Sequence, residues 1–409
     1  MSESFASSDE NPADSGDRSS ATSPWAWAQD ELDALSDAAL KRTRRRRESP
    51  PTQGLVQLDG RRFLHLGSND YLGLAADSRL VDAVRRFAGY HGWGSAASPL
   101  VAGHGTLHEK LELELAAFEG TDAALLFSSG FTANLGALSA LVGPDDEVFS
   151  DQLNHASLID GIRLTRARRT VFPHADYDAL EVALRASTTT GRRWIVTDTV
   201  FSMDGDTADL DRIAALAERF DAFMLLDEAH ATGVLGASGR GLHEQCATRS
   251  DRWVIVGTLS KALGASGGFV AGNSRAIELV LNRARAYMFS TAVPEATCAA
   301  ALAALDVVRQ EPRRRTELAD LAQWLRGELR QLGWQRLGST QIIPLRVGDP
   351  SLAVELSRDL AEHGFYVPAI RPPAVPEGES LLRISLSAAH TREQLKPLLD
   401  FLATRAPRS

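Results

Sequence analysis

The chain has 409 residues, 44% of them hydrophobic, and it carries 44 Lys and Arg against 53 Asp and Glu, a formal net charge of −9. This length is enough for one large and one smaller domain, each with its own core. No apolar stretch is long enough for a membrane-spanning helix, and the acidic balance argues against a general nucleic-acid binder. The two cysteines, Cys246 and Cys298, match no disulfide framework, zinc site or CxxC pair, which favours a reducing, cytoplasmic compartment.

The amino-terminal part of the chain is polar and then strongly basic. Residues 1–24 hold five acids, one base and almost no aliphatic side chains, which predicts a disordered tail without the features of a secretory signal. An amphipathic segment, residues 25–40, leads into the run 41–47, which has six bases in seven residues. That run is either a solvated helix end or a contact for an anionic partner.

Short apolar runs alternate with helical stretches between residues 63 and 289. The clearest runs are 123–127, 194–196, 222–226 and 253–256, and each ends in a polar or glycine-rich turn. Because these runs are apolar throughout, they predict strands buried on both faces of a mostly parallel sheet covered by helices. Ligands of such sheets bind beyond the carboxyl ends of the strands. The polar residues that follow the runs are therefore the candidates for a functional site.

The last hundred residues have a different pattern, which predicts a second, smaller α+β domain. The predicted elements are a helical stretch at 302–332, a strand at 342–347, a helix at 351–363, a turn-rich segment at 371–378, a strand at 381–385 and a final helix opened by Thr391. The predicted organisation is a disordered tail (1–24), an N-terminal helix and arm (25–62), a large domain (63–295) and a small C-terminal domain (296–409) with which the arm associates.

A carboxylate and a lysine at two neighbouring strand ends suggest cofactor chemistry. Asp227 ends one apolar run, and Lys261, 34 residues later, follows the next run in a Gly- and Ser-rich turn. A buried acid requires a cationic partner, and a desolvated lysine has a lowered pKa and can act as a nucleophile towards a carbonyl. Pyridoxal phosphate requires such a lysine and a carboxylate for its pyridinium nitrogen. An ordinary Asp–Lys ion pair at the sheet edge is the alternative.

Two further segments fit the same edge of the sheet. Residues 128–134 follow a strand and open a helix, where free N–H groups and the helix dipole favour an anion and Gly130 permits close approach. Simple N-capping by serine explains this segment equally well. Thr258 offers one more hydroxyl, and His155 lies in a polar turn after residues 147–149, either as a functional group or as a packed residue.

Two patterns point to other activities but lack the required context. Residues 264–268 match G-x-S-x-G around Ser266, yet a nucleophile elbow requires a strand directly before it and a helix directly after it. Here a Lys-Ala-Leu segment precedes the pattern and apolar residues 269–270 follow it. His104 and His108 have helical spacing for a metal, but glycines flank His104, so a turn followed by a helix over 107–118 is expected.

Seven motifs in order make the sequence similar to a known family. The matching segments are 67–74 (GSNDYLGL), 107–109 (LHE), 129–134 (SGFTAN), 154–157 (NHAS), 201–206 (FSMDGD), 227–230 (DEAH) and 258–261 (TLSK). With these segments the chain resembles the α-oxoamine synthases, which are fold-type-I pyridoxal-phosphate enzymes. The resemblance implies an α/β fold, with a mostly parallel central sheet in a large domain and a smaller α+β C-terminal domain, and a homodimer with active sites at the subunit interface.

The resemblance also implies roles for individual residues. Lys261 would bind the cofactor covalently and later act as a base, Asp227 would pair with the pyridinium nitrogen, and His155 would stack on the ring. The other implied cofactor contacts are Ser202 and His230 at the phenolic oxygen, Gly130, Phe131 and Thr258 around the phosphate and ring, and Thr291 (with Ser290) at the phosphate of the neighbouring subunit. The implied substrate contacts are Arg383 at the amino-acid carboxylate, Asn69, His155, Ala374 and one arginine of 44–47, with Arg46 as the best register.

The implied reaction is a decarboxylating condensation of an amino acid with an acyl thioester. The segments 369–376 (AIRPPAVP) and 382–385 (LRIS) resemble the branch that joins L-alanine to pimeloyl-CoA or a pimeloyl carrier protein in biotin biosynthesis. Ala374 departs from the threonine usual in that branch, which leaves the acyl specificity open. The alternatives are sister enzymes that use glycine with a short acyl-CoA or serine with a long one, a serine hydrolase through Ser266, and a non-catalytic protein on the same fold.

Overall fold

The structure is a computed structural model that describes residues 23–50 and 52–405. Most of the predicted disordered tail, residues 1–22, lies outside the described residues. The chain divides into two units, Met1–Thr43 and Arg44–Ser409. In the first unit, residues 23–43 are described, and they contain one helix, α1 (Ala26–Asp37), within the predicted amphipathic segment. No residue of this helix is buried. Among the described residues no helix is both long enough and apolar enough to cross a membrane.

The described part of the second unit contains thirteen strands and twelve further α-helices. The strands are β1 (Leu55–Leu58), β2 (Arg61–His65), β3 (Ala123–Phe127), β4 (Glu147–Asp151), β5 (Arg168–Phe172), β6 (Arg193–Asp198), β7 (Ala222–Asp227), β8 (Trp253–Thr258), β9 (Gly268–Gly272), β10 (Ile342–Gly348), β11 (Phe365–Tyr366), β12 (Ala369–Ile370) and β13 (Ser380–Ser385). The helices are α2 (Ser78–His91), α3 (Thr106–Glu119), α4 (Gly130–Leu141), α5 (Ala156–Thr165), α6 (Tyr177–Ala186), α7 (Leu210–Arg219), α8 (Ser274–Arg283), α9 (Arg285–Met288), α10 (Glu295–Gln310), α11 (Arg313–Gln331), α12 (Pro350–Glu362) and α13 (Arg392–Ala403).

A seven-stranded sheet forms the centre of this unit, in the order β3-β9-β8-β7-β6-β4-β5. Strands β4 to β8 pair in parallel, whereas β9 is antiparallel to both β8 and β3. Because β3 and β8 both run against β9, the carboxyl ends of β3, β4, β6, β7 and β8 lie at one edge of the sheet. The predicted α/β class with a mostly parallel sheet is confirmed.

The apolar runs form strands because both faces of the sheet are covered. In β7, Leu225 packs into one apolar cluster, while Met224 and Leu226 pack into another on the opposite face, and all three are fully buried. Burial of one such side chain contributes about 1.5–3 kcal/mol to folding. Alternation between two cores explains why these strands lack the apolar–polar alternation of half-exposed strands.

Two smaller sheets complete the fold. The hairpin β1–β2 pairs in parallel with β11, so the N-terminal arm from residue 44 joins a strand near the C-terminus. The second sheet has the order β10-β13-β12 and contains the two strands predicted at 342–347 and 381–385. The helical stretch predicted at 302–332 is two helices, α10 and α11, because Glu311 and Pro312 interrupt it.

Candidate active site

Polar side chains from five strand ends line one cavity of about 190 Å³. The lining residues are Ser129, Gly130, Phe131, Asn134, His155, Ser157, Asp198, Asp227, Ala229, His230, Thr258, Ser260 and Lys261. They follow β3, β4, β6, β7 and β8, the strands whose carboxyl ends meet at one edge. This is the position where open parallel sheets bind their ligands.

The amino terminus of α4 forms one wall of the cavity. Ser129 caps this helix by accepting a hydrogen bond from the Thr132 N–H at 3.1 Å. The other N–H groups of the first turn have no partner within the helix, so together with the helix dipole they favour an anion. Gly130 keeps this wall open, because a Cβ at this residue would lie 3.3 Å from the Cβ of Thr258.

Asp227 presents a fully hydrogen-bonded carboxylate to the cavity. Its Oδ2 accepts from Asn134 Nδ2 at 2.6 Å, and its Oδ1 accepts from the Ala229 N–H at 2.8 Å. Asp198 lies beside it, because the two residues are partners in the β6–β7 register. Burial, and then the negative charge of Asp227, raises the pKa of Asp198 well above its usual range. The two carboxyl groups therefore share one buried position at the end of neighbouring strands, and the shift favours the protonated form of Asp198.

Lys261 contacts a buried histidine at the opposite side of the cavity. Its Nζ lies 2.9 Å from Nε2 of His230, whose Nδ1 lies 2.7 Å from the hydroxyl of Tyr71. Burial lowers the pKa of Lys261 to about 8, although the charges of Asp227 and Asp198 oppose this effect. Burial, and then the charge of Lys261, lowers the pKa of His230 well below its usual range, so its imidazole is neutral.

Arg383, on β13, reaches this network from the smaller sheet. Its Nη2 donates to Asn69 Oδ1 and to the Tyr71 hydroxyl, both at 3.2 Å, and the residue is 7% exposed. Its Nε has no hydrogen-bond partner among the described residues. A buried guanidinium with a free donor is suited to a carboxylate ligand.

His155 forms the N-cap of α5, and its side chain lines the cavity. Its Nδ1 is 2.7 Å from the Ser157 hydroxyl, and its backbone N–H donates to Asp198 Oδ2 at 2.6 Å. Burial lowers the pKa of His155, although the negative charge of Asp227 opposes the effect. Its ring makes an edge contact with Phe131, with centroids 6.3 Å apart. The ring is therefore held in place and largely uncharged at neutral pH.

The structure brings most of the predicted cofactor residues together but leaves several others outside the cavity. Gly130, Phe131, His155, Asp227, His230, Thr258 and Lys261 line it, and Asn69 and Arg383 join it through Tyr71. Four predicted residues do not line the cavity. Ser202 lies in the turn between β6 and α7, and Thr291 lines a separate small cavity after α9. The side chain of Arg46 pairs with Glu48, and Ala374 is exposed between β12 and β13.

Three contributors to the site have no role in the sequence predictions. Asn134 holds Asp227, Tyr71 links His230 to Arg383, and Asp198 holds the His155 backbone. Asn134 and Tyr71 lie inside the quoted motifs, and Asp198 follows the apolar run 194–196 after Thr197. A position within a motif or just after a run is a usable signal, but the partners of these residues lie up to 312 residues away.

The G-x-S-x-G pattern around Ser266 and the His104–His108 pair lie in other local structures than their motifs require. Ser266 lies in a turn that leads into strand β9 rather than into a helix, so the nucleophile elbow is absent there. His104 precedes α3 and pairs with Glu112 at 2.9 Å. Within residues 23–50 and 52–405, no group of three or more His, Cys, Asp or Glu residues is arranged to hold a metal ion.

A testable consequence concerns the close approach of β9 to α4. A Cβ at Gly268 would lie 2.4 Å from the Gly130 backbone nitrogen and 2.5 Å from the Ser129 carbonyl group. Gly268→Ala should therefore displace the start of α4, lower the free energy of unfolding by about 1–3 kcal/mol and weaken pyridoxal phosphate binding. Denaturant unfolding and a cofactor titration measure both effects.

Gly327→Ala is the matched control for this substitution. Gly327 lies inside α11 with no atom within 4 Å of the new Cβ, so alanine should raise the free energy of unfolding by up to about 1 kcal/mol. Cofactor binding should stay unchanged in this variant. Equal behaviour of the two variants would contradict the close packing of β9 against α4.

Comparison with known proteins places this constellation in a family. The model of the family "Aminotransferase class I and II" matches residues 61–402. An 8-amino-7-oxononanoate synthase from Aromatoleum aromaticum is 46% identical over 91% of this chain and 96% of the relative. Another, from Anaeromyxobacter dehalogenans, is 48% identical over 93% of this chain and 96% of the relative.

Solved structures agree with this match. A serine palmitoyltransferase from Sphingomonas wittichii has a TM-score of 0.88 and 31% identity, covering 95% of this chain and 99% of its own. An 8-amino-7-oxononanoate synthase from Francisella tularensis has a TM-score of 0.72 and 27% identity, covering 84% and 97%. Another serine palmitoyltransferase structure holds a pyridoxal phosphate internal aldimine. The predicted fold type is confirmed, and the chain belongs to the aminotransferase class I and II family.

Proposed function

We propose that this protein catalyses the decarboxylating condensation of L-alanine with a pimeloyl thioester, giving 8-amino-7-oxononanoate in biotin biosynthesis. The observation that carries the proposal is the convergence of Lys261, Asp227 and His155 on one cavity, in a chain that is 46–48% identical to 8-amino-7-oxononanoate synthases over most of its length. The acyl donor is pimeloyl-CoA or a pimeloyl carrier protein. The chemistry is acyl transfer assisted by pyridoxal phosphate.

The cavity fits this cofactor in three respects. The amino terminus of α4 offers N–H donors to a phosphate, beside the wall that Gly130 leaves open and that Thr258 lines. The carboxylate of Asp227 suits a pyridinium nitrogen, and Lys261 supplies the amine for the covalent linkage. When bound, the cofactor supplies an electron sink that stabilises negative charge at the α-carbon of the amino acid.

Lys261 then holds and releases the proton of the amino-acid substrate. With a pKa of about 8, a useful fraction of its side chain is neutral near pH 7–8, whereas an unperturbed lysine is almost fully charged there. A base with a pKa close to the working pH is the most effective proton acceptor. His230 contacts Nζ at 2.9 Å and orients it.

Arg383 is proposed to bind the carboxylate of the amino acid. Its bonds to Asn69 and Tyr71 fix the guanidinium plane, and Nε is left as a donor without a partner among the described residues. A fixed guanidinium recognises a carboxylate with little loss of entropy. His155 lines the same cavity, and its proposed role is to stack on the ring and to assist later proton transfers.

Sister reactions are the second candidate, because the serine palmitoyltransferase from Sphingomonas wittichii has the higher TM-score of the two structures compared, 0.88 against 0.72. The greater sequence identity to 8-amino-7-oxononanoate synthases favours alanine and the pimeloyl donor. Ala374 bears on the acyl chain, since a hydroxyl expected at this position is missing.

A substrate panel separates these candidates. L-Alanine, glycine and L-serine would each be tested with pimeloyl-, acetyl- and palmitoyl-CoA, and release of thiol and of CO2 would be measured. L-Alanine with pimeloyl-CoA should exceed the other pairs by at least about 10-fold in kcat/KM, because one methylene or hydroxyl in a fitted pocket changes kcat/KM by about 10–200-fold. Preference for glycine or serine would retain the family and reject this substrate.

The assembly, domain division and compartment belong to the same proposal. We propose a homodimer in which Thr291 serves the neighbouring site, supported by the exposed apolar side chains of Trp93, Val101 and Phe289 in the flanking segments. We also propose that the chain is organised as an arm (25–62), a large domain (63–295) and a small domain (296–409). Two unpaired, buried cysteines support a reducing, cytoplasmic compartment.

A further inference from the structure

Tyr71 is fully buried between His230, which contacts Lys261, and Arg383, the proposed binding residue for the substrate carboxylate. Its hydroxyl lies 2.7 Å from Nδ1 of His230, 3.2 Å from Oδ1 of Asn69 and 3.2 Å from Nη2 of Arg383. The side chain is 0% exposed. The Gln341 side chain also interacts with this hydroxyl. A buried hydroxyl with several polar neighbours is costly to remove unless its partners find replacements. Its contact with Arg383 supports the carboxylate site, and its contact with His230 has no role in the function proposed above.

Counting donors and acceptors fixes the direction of each hydrogen bond. The Lys261 ammonium has only donors, so Nε2 of His230 accepts at 2.9 Å. Because burial keeps His230 neutral, its proton is on Nδ1 and is donated to the Tyr71 oxygen. Arg383 can only donate as well. The Tyr71 proton is therefore directed to the Asn69 oxygen, which accepts it at 3.2 Å.

We propose that Tyr71 is a positioning residue for Lys261 and that it acts through His230. Its oxygen holds His230 in the tautomer protonated at Nδ1, which directs the Nε2 lone pair at the Lys261 ammonium. When Lys261 is neutral, the arrangement reverses: Nε2–H donates to the amine, and the Tyr71 hydroxyl donates to Nδ1. The phenol satisfies the imidazole in both states, and phenylalanine satisfies it in neither. The effect of this positioning on turnover rests on the proposed function. The hydrogen-bond chain itself is independent of that function.

The other charged groups around Lys261 remain in place when the hydroxyl is removed. The charges of Asp227 and Asp198 raise the pKa of Lys261, and the charge of Arg383 lowers it. His155 also faces the cavity, and burial keeps it largely neutral. Tyr71→Phe keeps all of these charged side chains, but it removes a hydrogen bond from Arg383 as well as one from His230. A double-mutant cycle with His230 therefore separates the route through His230 from a route through Arg383.

The test is a titration of Lys261 in protein without cofactor, labelled with 13C at the lysine side chains. The chain has only four lysines, Lys41, Lys110, Lys261 and Lys396, so the Lys261 signal is assigned by one substitution. The wild-type pKa is about 8. Tyr71→Phe should lower this pKa by roughly one unit, since hydrogen bonds that support a charged group are the stronger ones.

Tyr177→Phe is the matched control. Tyr177 is also buried, and its hydroxyl accepts from the Asp209 N–H at 2.8 Å, away from the cavity residues. The pKa of Lys261 should be unchanged in this variant. An unchanged pKa in Tyr71→Phe as well would overturn the proposal.

A double-mutant cycle tests whether the effect passes through His230. His230→Gln should shift the Lys261 pKa by itself, and adding Tyr71→Phe to this variant should shift it no further. A full additional shift would mean that Tyr71 acts on Lys261 by another route, and the proposal would be wrong.

A wild-type measurement decides the question even if Tyr71→Phe does not fold. The 15N signals of the His230 ring, assigned by comparison with His230→Gln, should show protonation at Nδ1 below the pKa of Lys261 and at Nε2 above it. Protonation at Nε2 while Lys261 is charged would overturn the proposal. Because none of these readouts uses substrate or turnover, they are independent of the outcome of the substrate panel.

Discussion

Replacing Lys261 with alanine should reduce turnover roughly 10⁴-fold or more and abolish covalent attachment of the cofactor. Lys261 is the amine that lines the cavity, with a pKa of about 8 and Nζ held 2.9 Å from His230. Loss of a general base alone costs about 10²–10⁴-fold, and loss of the nucleophile removes the covalent route as well. Steady-state rates and visible absorbance of the loaded protein measure the two effects.

The control for this experiment is Lys110→Ala. Lys110 is exposed on α3, so its removal should leave both the rate and the absorbance unchanged. Borohydride reduction of the loaded wild-type protein followed by peptide mapping should place the cofactor on Lys261 and on none of the other three lysines. A label on another lysine, or full activity in Lys261→Ala, would reject the assigned role.

The sequence predicts the central part of this site because, in a parallel sheet, the apolar pattern of a strand also indicates where the residues after it lie. An apolar run with both faces covered must be an interior strand, and the residues after it must lie at the carboxyl edge. Asp227 and Lys261 were found by that argument, since β7 and β8 are neighbours in the sheet. The motif order then fixes the family, and through it the cofactor and the reaction.

The parts that sequence reasoning missed depend on contacts between distant segments. Arg383 meets Tyr71 across 312 positions, and no local periodicity records such a pair. Strand β5 escaped prediction because it lies at the sheet edge, with side chains mostly exposed and no apolar run. The hydrogen-bond directions in the Tyr71 chain follow from burial of His230 and Lys261, which only the assembled fold provides.

Asp227→Asn should produce the second large loss, roughly 10³-fold in turnover. Asp227 presents its carboxylate to the cavity, held by Asn134 at 2.6 Å and by the Ala229 N–H at 2.8 Å, and it is proposed to balance the pyridinium charge of the cofactor. Removing one partner of a buried charge pair costs about 3–5 kcal/mol, and each 1.36 kcal/mol is tenfold in rate. Turnover with L-alanine and the cofactor dissociation constant would be measured together.

Asp198→Asn is the matched control, because it changes a neighbouring carboxyl group to an amide of the same shape while leaving Asp227 in place. Burial and the charge of Asp227 raise the pKa of Asp198 well above its usual range, which favours its protonated form. Asp198→Asn, with a side chain of the same size, should therefore change the charge in the cavity less than Asp227→Asn does. The amide oxygen can still accept from the His155 N–H, as the carboxyl does at 2.6 Å. The rate should therefore fall less than about 10-fold, because even complete loss of one hydrogen bond costs about 1 kcal/mol and a tenfold change in rate corresponds to about 1.36 kcal/mol. Equal losses in the two variants would mean that both carboxyl groups carry charge, and the assignment of Asp227 as the sole counter-ion would be wrong.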